Sequence, residues 1–207
     1  ESNTENKHAT VGGNAVRRDI QTDRILECER LSCPMPVLKT KKAMEEMKPG
    51  EVLEVRATDK GSVADLQSWA KRTGHHYIGL VEENGIFRHF LRKASDNETK
   101  AEVQFPHIIS NEELEQKLTS CESIIVLDVR EPAEFAFGHI PGALSVPLGQ
   151  LEEKISQLDP GKAYAVICRT GNRSDMACQM LAERGFAKVK NVVPGMSRWQ
   201  GAIESDE

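Results

Sequence analysis

No stretch of this sequence is long and apolar enough to cross a bilayer. The longest apolar runs, such as "IIVL" at 124–127, fall far short of the roughly 20 residues that a membrane-spanning helix needs. The amino-terminal segment 1–24 also lacks the apolar core of a secretory signal. We therefore expect a soluble, cytoplasmic protein that does not act at a membrane.

Aromatic residues and excess positive charge are both scarce. Aromatics make up 5% of the chain, and the formal net charge is −5 at pH 7. Surfaces that bind nucleic acids usually combine a basic patch with aromatic side chains on which bases stack. The composition therefore predicts no direct nucleic-acid partner.

Paired cysteines are also missing. The chain has five cysteines at irregular spacing, without the clusters of a zinc site or the density of a disulfide scaffold: Cys28, Cys33, Cys121, Cys168 and Cys178. The adjacent His75 and His76 do not suggest a metal site, because successive residues of a strand point to opposite faces. Single reactive thiols therefore become the leading functional candidates.

The charge is distributed unevenly along the chain. Acidic and basic residues balance in 1–102, so the whole net charge of −5 belongs to 103–207. Between the two parts lies the polar segment "ASDNETKAE", which has no apolar periodicity and is typical of a solvated linker. We predict a flexible tail at 1–22, a first domain at 23–93, a linker at 94–102 and a second domain at 103–207.

The first domain reads as a small two-layer βαβαββ sandwich. Strand patterns at "RILEC" and "EVLEVRAT" alternate with two helical patterns, and Asn84-Gly85 between two alternating segments predicts a hairpin. Ser62 followed by Asp65 is typical of a capping box for the second helix, which Gly74 would end.

In the second domain, apolar strands alternate with helical patterns. This order predicts an α/β fold with a parallel sheet covered by helices on both faces. Ser110 and Glu113 form a capping box for the first of these helices. Further helices are expected at 148–158, at 173–184 and over "MSRWQGAI".

Cys168 begins the motif "CRTGNRS", between a predicted buried strand and a predicted helix. Its sulfur should lie at the carboxyl edge of the sheet, where loop amides and the helix amino terminus favour an anion. Arg169 and Arg173 add positive charge, and Gly171 lets the backbone curl around the sulfur. Such a cradle fits persulfide chemistry, phosphate-ester chemistry or arsenate reduction.

The second domain resembles the rhodanese family, because "LDVREPAEFAFGHIPGA", "CRTGNRS" and "PGMSRW" stand in the order and at the spacing of that family. The resemblance implies that Cys168 accepts sulfane sulfur as a persulfide. It also implies a substrate-binding loop formed by Arg169, Thr170, Gly171, Asn172 and Arg173. Four residues separate Cys168 from Arg173, as in sulfurtransferases, whereas rhodanese-fold phosphatases have one more. Pro194-Gly195 stands where the family usually has two glycines.

Cys33 lies at a stiff corner of the chain. We place it at the amino cap of the first helix, with Pro34 at the first helical position, and Pro36 removes a further backbone donor. Since few amides remain to stabilise a thiolate there, we expect Cys33 to keep a comparatively high pKa and to act as an accessible sulfur acceptor.

The first domain resembles the TusA-like sulfur carriers, in its order of elements and in the Cys-Pro-Met-Pro signature that starts at Cys33. The resemblance implies that Cys33 carries a persulfide to a protein partner without a metal or an organic cofactor. Arg30 departs from the family, which commonly has glycine just before the Leu-x-Cys-Pro run.

Together the two parts resemble bacterial fusions of a TusA-like carrier with a rhodanese domain. The resemblance implies a sulfurtransferase enzyme in which Cys168 takes sulfur from thiosulfate or a small persulfide. Cys168 then relays it to Cys33, across domains or between chains, for delivery to a protein or thiol acceptor. The alternative is a non-enzymatic persulfide or redox adaptor that uses a Cys33–Cys168 disulfide.

The remaining chemistry-bearing residues are interpreted as structural. Cys28 lies on the first strand and Cys178 on a helix, where cysteine behaves as a small core hydrophobe. Cys121 is assigned a structural role in a loop, and His139 is expected to order its own loop. Asp128 and Arg130 follow a strand end and are expected to form an ion pair.

Overall fold

The computed structural model describes residues 20–94 and 104–206, which form two α/β units. The predicted tail, apart from residues 20–22, and the predicted linker, apart from Ala94, lie outside the described residues.

The first unit consists of four strands and two helices: β1 (Arg24–Cys28), α1 (Met35–Glu46), β2 (Val52–Ala57), α2 (Gly61–Thr73), β3 (His76–Glu83) and β4 (Ile86–Arg92). The strands form one mixed sheet in the order β1-β2-β4-β3, in which only the β1–β2 pair is parallel. The predicted βαβαββ sandwich is confirmed.

The helices cover one face of this sheet because the strands alternate. Leu53, Val55 and Ala57 on β2 pack in a core with Met44 of α1 and Leu66 of α2. The residues between them, among them Glu54, therefore point to the other face. The predicted hairpin is also confirmed: Asn84 and Gly85 both have positive φ, as its two-residue turn requires.

The start of α2 differs from the prediction. The helix begins at Gly61, and Lys60 at the N-cap provides no side-chain hydrogen bond. The Ser62 hydroxyl instead lies 3.0 Å from the ring nitrogen Nε2 of His89, and Asp65 contacts Cys33. The predicted capping box is wrong because both of its side chains have tertiary partners. Gly74 does end the helix, in the left-handed conformation.

The second unit contains five strands and four helices: β5 (Ile108–Ser110), α3 (Asn111–Thr119), β6 (Ile125–Asp128), α4 (Pro132–Phe137), β7 (Leu144–Ser145), α5 (Leu151–Lys154), β8 (Tyr164–Ile167), α6 (Asn172–Glu183) and β9 (Val189–Val193). All the strands are parallel, in the order β5-β9-β8-β6-β7. One core packs the sheet against α5 and α6, and a second packs its other face against α3. The predicted doubly covered parallel sheet is confirmed, and no helix in the described ranges could cross a membrane.

Two predicted helices of this unit are wrong in extent. The one at 148–158 is a single α-helical turn, α5, between the 3₁₀ turns Leu148–Gln150 and Ile155–Gln157. The last one is only a 3₁₀ turn at Met196–Arg198. Its first two amides donate to Cys168 and Arg169 carbonyls, so they are committed to the neighbouring loop. The Ser110 cap of α3 is present, since its hydroxyl accepts from the Glu113 amide.

The two units pack against each other through the sheet face of the first unit that its helices leave open. Phe137 of α4 lies on this face, with its ring centroid 5.3 Å from that of Phe90. A Cβ atom at Gly79 would be only 2.5 Å from the Phe137 ring, so glycine permits this approach. Val52, Val81, Phe90 and Ala133 form one buried cluster across the contact. The units are therefore docked through an apolar interface.

Candidate functional site

Cys168 follows the last residue of β8 and is fully buried. The backbone N–H of Gly171 donates to its Sγ at 3.1 Å, and the Ser174 hydroxyl lies 3.3 Å away. Gly171 has φ 93° and forms the N-cap of α6, so the chain turns around the sulfur at a position that favours glycine. The sulfur thus lies at a helix amino terminus with an amide aimed at it.

A buried polar network holds this loop. The Ser174 hydroxyl donates to the Oδ1 of Asn191 at 2.5 Å. The Asn191 side-chain amide donates to the Gly171 carbonyl at 3.2 Å. Sequence analysis missed both roles. The signals were Ser174 inside the motif and a single asparagine within the apolar strand β9, because a fully buried polar side chain needs a partner.

The loop after β9 clamps the backbone of the Cys168 loop. The Met196 amide donates to the Cys168 carbonyl at 2.8 Å, and the Ser197 amide donates to the Arg169 carbonyl at 2.9 Å. A Cβ atom at Gly195 would lie 2.5 Å from the Cys168 oxygen, and the residue has φ 108°. The rhodanese family usually has two glycines at this place. In this chain Pro194 replaces the first, and the second, Gly195, is the one that the clamp requires.

Arg173 binds a buried carboxylate. Its two terminal nitrogens lie 2.7 and 3.1 Å from the carboxylate oxygens of Glu134, whose side chain is buried. Burial alone would raise the pKa of Glu134, but the Arg173 charge and hydrogen bond, with the charge of Arg92, lower it to about 2. Arg169 and Thr170 of the loop and Asn172, the first residue of α6, are half-buried.

The first unit reaches the same carboxylate. The Nε of Arg92 is 3.7 Å from one Glu134 oxygen, and the Nδ1 of His76 is 3.6 Å from the other. Burial, together with the nearby charges of Arg169, Arg92 and Arg173, lowers the pKa of His76 to about 4. His76 is therefore neutral near pH 7 and does not form an ion pair there. Sequence analysis missed Arg92, His76 and Glu134 because no sequence pattern connects the two units.

The second thiol, Cys33, is exposed and lies just before α1. The N-cap is Pro34, so the prediction that Cys33 occupies this position is wrong by one residue. The Cys33 amide donates to Asp59 at 2.9 Å, and its thiol donates to Asp65 at 3.0 Å. The hydrogen bond to Asp65, followed by slight burial and the charges of Asp65 and Asp59, raises the pKa of Cys33. The main cause is a carboxylate rather than a lack of amides, and the expectation that the pKa of Cys33 is the higher of the two thiols stays a prediction.

Arg30 lies in the turn before Cys33 and has φ 63°, a left-handed conformation that glycine adopts more easily. Its amide donates to the Thr58 hydroxyl at 2.8 Å, which fixes the turn. This backbone conformation explains why glycine is common at the position. In this chain Arg30 adopts the left-handed conformation although it has a side chain.

Cys33 and the contacts of Glu134 lie at opposite ends of the first sheet. Cys33 is bonded to Asp59, just beyond the Ala57 end of β2, and lies on the side of the helices. The contacts of Glu134 are with residues at the other end, where Val52 pairs with Arg92, and on the opposite face. Six residues of β2 span roughly 17 Å, so a distance of this order separates Cys33 from the contacts of Glu134, which binds Arg173 of the Cys168 motif. The predicted sulfur-bearing residues are not brought together.

Several residues interpreted as structural have the expected partners. Cys28 and Cys178 are buried in the two cores, and burial raises the pKa of both thiols. Arg130 forms an ion pair with Asp128 at 2.7 Å, and the His139 Nδ1 lies 2.8 Å from the Phe135 carbonyl of α4. Cys121 lies in the loop before β6 as predicted, where it is exposed and has φ 54°.

The two units match two known families. Residues 24–93 match the family described as "Sulfurtransferase TusA", and residues 110–202 match "Rhodanese-like domain". The chain is 48% identical over 180 residues to "Putative sulfur carrier protein YrkF" of Bacillus subtilis (strain 168). The aligned region covers 87% of this chain and 97% of the relative.

Single-domain relatives match each half. "Sulfur carrier protein TusA" of Allochromatium vinosum is 47% identical over 73 residues, 35% of this chain and 95% of that protein. Among solved structures, a rhodanese-related protein from Thermoplasma volcanium is 34% identical, with a TM-score of 0.44, and covers 47% of this chain and 97% of its own.

Proposed function

Because this chain belongs to the sulfur carrier and sulfurtransferase proteins that join a TusA domain to a rhodanese-like domain, we propose that it is an enzyme that relays sulfane sulfur from Cys168 to Cys33. The proposed donor is thiosulfate or a low-molecular-weight persulfide. The final acceptor is a protein or small-molecule thiol.

In the first step, the Cys168 thiolate attacks the outer sulfur of thiosulfate. A sulfur–sulfur bond forms on Cys168, the bond to the sulfonate sulfur breaks, and sulfite leaves. The observation that supports this step best is the Gly171 N–H aimed at the buried Sγ, because it offers a hydrogen bond to an anionic sulfur. The thiolate is already a nucleophile, so the step requires no general base.

In the second step, the Cys33 thiolate attacks the outer sulfur of the Cys168 persulfide. The Cys168 thiolate leaves, and Cys33 holds the sulfur as a persulfide. The exposure of Cys33 supports its role as the group that meets other proteins. Since the hydrogen bond to Asp65 favours the thiol form, the proton must leave before this attack.

The docked arrangement supports transfer between chains rather than within one. Cys33 lies on the helix side of the first sheet, while the domain that carries Cys168 packs on the opposite face through the apolar interface with Phe137. A Cys33–Cys168 disulfide within the chain would need Cα atoms closer than about 7 Å. The same separation therefore argues against the alternative of an intrachain redox adaptor.

The first test is intact-protein mass spectrometry after brief exposure to thiosulfate or glutathione persulfide, with the added sulfur located by peptide mapping. We expect sulfur on both Cys168 and Cys33 in the native chain, on Cys168 alone in Cys33→Ser, and on neither in Cys168→Ser. Equal loading of Cys33 in Cys168→Ser would show two independent carriers and contradict the relay.

The second test mixes the two variants. The Cys33→Ser chain is exposed to thiosulfate together with an isotopically labelled Cys168→Ser chain, whose different mass identifies it. We expect sulfur on Cys33 of the labelled chain, at a rate that rises with protein concentration. If only the native chain loads its Cys33, at a rate independent of concentration, transfer occurs within one chain.

A further inference from the structure

The Cys33 thiol lies in a turn that is tied to the start of α2. Its S–H donates to the carboxylate oxygen Oδ2 of Asp65 at 3.0 Å. Its backbone N–H donates to the Oδ2 of Asp59 at 2.9 Å, while the other oxygen of Asp59 accepts the Gly61 amide at 3.1 Å. Gly61 is the first residue of α2, and Asp65 lies one turn further along it. One helix therefore fixes both the backbone of Cys33 and the acceptor of its thiol proton.

The hydrogen bond between Cys33 and Asp65 exists only while the carrier is empty. A thiol has one hydrogen to donate, and an ionised carboxylate is only an acceptor. When a second sulfur atom bonds to the Sγ of Cys33, this hydrogen is lost, and an anionic outer sulfur brings none of its own. The Asp65 carboxylate, which is half-buried, then loses the partner that it has in the empty state. Loading Cys33 therefore removes a favourable contact.

The corresponding contact at Cys168 does not depend on a hydrogen on the sulfur. There the Gly171 N–H is the donor, at 3.1 Å, and the sulfur accepts. A sulfur atom keeps lone pairs after it has bonded a second sulfur, so loading does not remove its capacity to accept this hydrogen bond. Loading thus eliminates a hydrogen bond at Cys33 but leaves Gly171 with an acceptor at Cys168.

We propose that Asp65 determines how weakly the carrier domain holds sulfur: by binding the thiol proton of empty Cys33, it shifts the exchange equilibrium toward release of the sulfane sulfur to the next acceptor. In this exchange Cys33–S–S⁻ and an acceptor R–SH give Cys33–SH and R–S–S⁻. One sulfur–sulfur bond breaks, another forms, and the proton of the acceptor ends on the Sγ of Cys33, which donates it to Asp65 in a hydrogen bond. The inference rests on the proposed function, because it treats Cys33 as the group that delivers sulfur.

The first test places an uncharged second sulfur on Cys33 without any sulfane-sulfur donor. Full-length protein is equilibrated at pH 7 with 2-mercaptoethanol and its disulfide, and the modified fraction of each cysteine is found by acid quenching and peptide mapping. Cys33–SH and R–S–S–R give Cys33–S–S–R and R–SH, so the hydrogen bond to Asp65 is lost as it is on loading. Because the small-molecule thiol and disulfide are neutral, the equilibrium constant reports this contact. Cys121, an exposed thiol of the other domain, is the internal reference.

We expect both Asp65→Asn and Asp65→Ala to raise the equilibrium constant at Cys33, relative to that at Cys121, roughly three- to tenfold. The alanine variant removes every acceptor at this position, and alanine is the residue that a helix tolerates best. Glu45→Gln removes an exposed carboxylate of α1 and should leave the constant unchanged. If Asp65 only supported the fold, its loss would lower the free energy of unfolding but leave the ratio of the two constants as it is in the native chain.

The second test follows sulfane sulfur itself. Cys33→Ser chains that carry sulfur on Cys168 are mixed with isotopically labelled Cys168→Ser chains and left to reach equilibrium. The share of sulfur on Cys33 of the labelled chain is then measured by intact-protein mass spectrometry. We expect this share to rise when the labelled chain also carries Asp65→Asn, and the later transfer from Cys33 to added glutathione to be less complete.

Two outcomes would overturn the inference. The first is an unchanged constant at Cys33 in both Asp65 variants, or an equal rise in Glu45→Gln. The second is sulfur that reaches Cys33 of both labelled chains in equal share. Failure of the proposed function has a different signature: the mercaptoethanol equilibrium at Cys33 shifts as expected, but sulfur never moves from Cys168 to either labelled chain.

Discussion

At the scale of single residues, the environment of each thiol reflects its immediate hydrogen-bond partner. The sulfur of Cys168 receives an amide proton from Gly171, whereas the thiol of Cys33 gives its proton to Asp65. The hydrogen bond to Asp65 stabilises the neutral thiol of Cys33 and raises its pKa. The two sulfur atoms therefore have partners of opposite hydrogen-bonding character.

Replacing Asp65 tests this difference at Cys33. In Asp65→Asn the carboxylate that raises the pKa of Cys33 is gone, so more thiolate exists at pH 7.5. We expect alkylation of Cys33 by iodoacetamide to become roughly two- to fivefold faster. Glu45→Gln, which removes an exposed carboxylate elsewhere on α1, should leave the rate unchanged. A slower or equal rate in Asp65→Asn would contradict the assignment.

Both cysteines stand in short motifs that are visible in the sequence, because a cysteine before two prolines and a cysteine before a glycine-containing loop are local patterns. The hydrogen-bond partners of the thiols could not be predicted in this way. Asp65 lies 32 positions from Cys33, and the sequence pattern suggested that it caps a helix. Only the packing of α2 beside α1 brings its carboxylate to the thiol.

At the scale of elements, the Cys168 loop is held by a segment that the sequence suggested was helical. The turn Met196–Arg198 donates its first amides to Cys168 and Arg169 carbonyls instead of continuing as a helix. Asn111, at the start of α3, binds both the amide and the carbonyl of Gly195. Three elements that are distant in sequence therefore fix one loop.

Gly195→Ala should break this clamp. The new methyl group would lie 2.5 Å from the Cys168 oxygen and 2.9 Å from the Arg169 oxygen, both of them backbone atoms. We expect sulfur loading of Cys168 to fall at least tenfold and the free energy of unfolding to drop by about 2–4 kcal/mol. Gly185→Ala changes a glycine of similar φ with open space around it, so loading should survive. Normal loading in Gly195→Ala would show that the clamp is dispensable.

Element types were predictable where periodicity is strong. The alternation of β2 and the hairpin at Asn84-Gly85 are local properties, and so is the Gly74 helix end. The segments at 148–158 and at the carboxyl end were wrong, because short apolar segments take the backbone geometry that their neighbours require.

At the scale of the whole molecule, the docked domains bury titratable groups that water would otherwise solvate. Burial lowers the pKa of His76 to about 4. It also lowers the pKa of His89, in the core of the first unit, to about 4. An unfolded histidine has its pKa near 6.5, so the unfolded chain binds more protons between pH 6.5 and 4. Stability is therefore complete above pH 6.5 and is lost as the pH falls toward 4.

His76→Gln should remove part of this loss. We expect the decrease in the free energy of unfolding between pH 7 and pH 4.5 to shrink by about 1–3 kcal/mol, measured by urea denaturation. Glu134 contributes little in this window, because its pKa of about 2 places its loss of stability below pH 4.5. The exposed His107→Gln serves as the control and should retain the native decrease. An unchanged pH dependence in His76→Gln would mean that burial does not hold His76 neutral.

The sequence by itself determined the two domain types, the order of their elements and the two cysteine motifs, because each of these follows from local periodicity or a contiguous motif. Only the tertiary structure decided how the domains meet. Gly79, Phe90 and Phe137 carry no mutual signal in sequence, yet their packing brings Arg92 and His76 to Glu134. The same docking leaves Cys33 on the far side of the sheet. Such contacts depend on the shapes and charges of two complete surfaces, which exist only after both domains have folded.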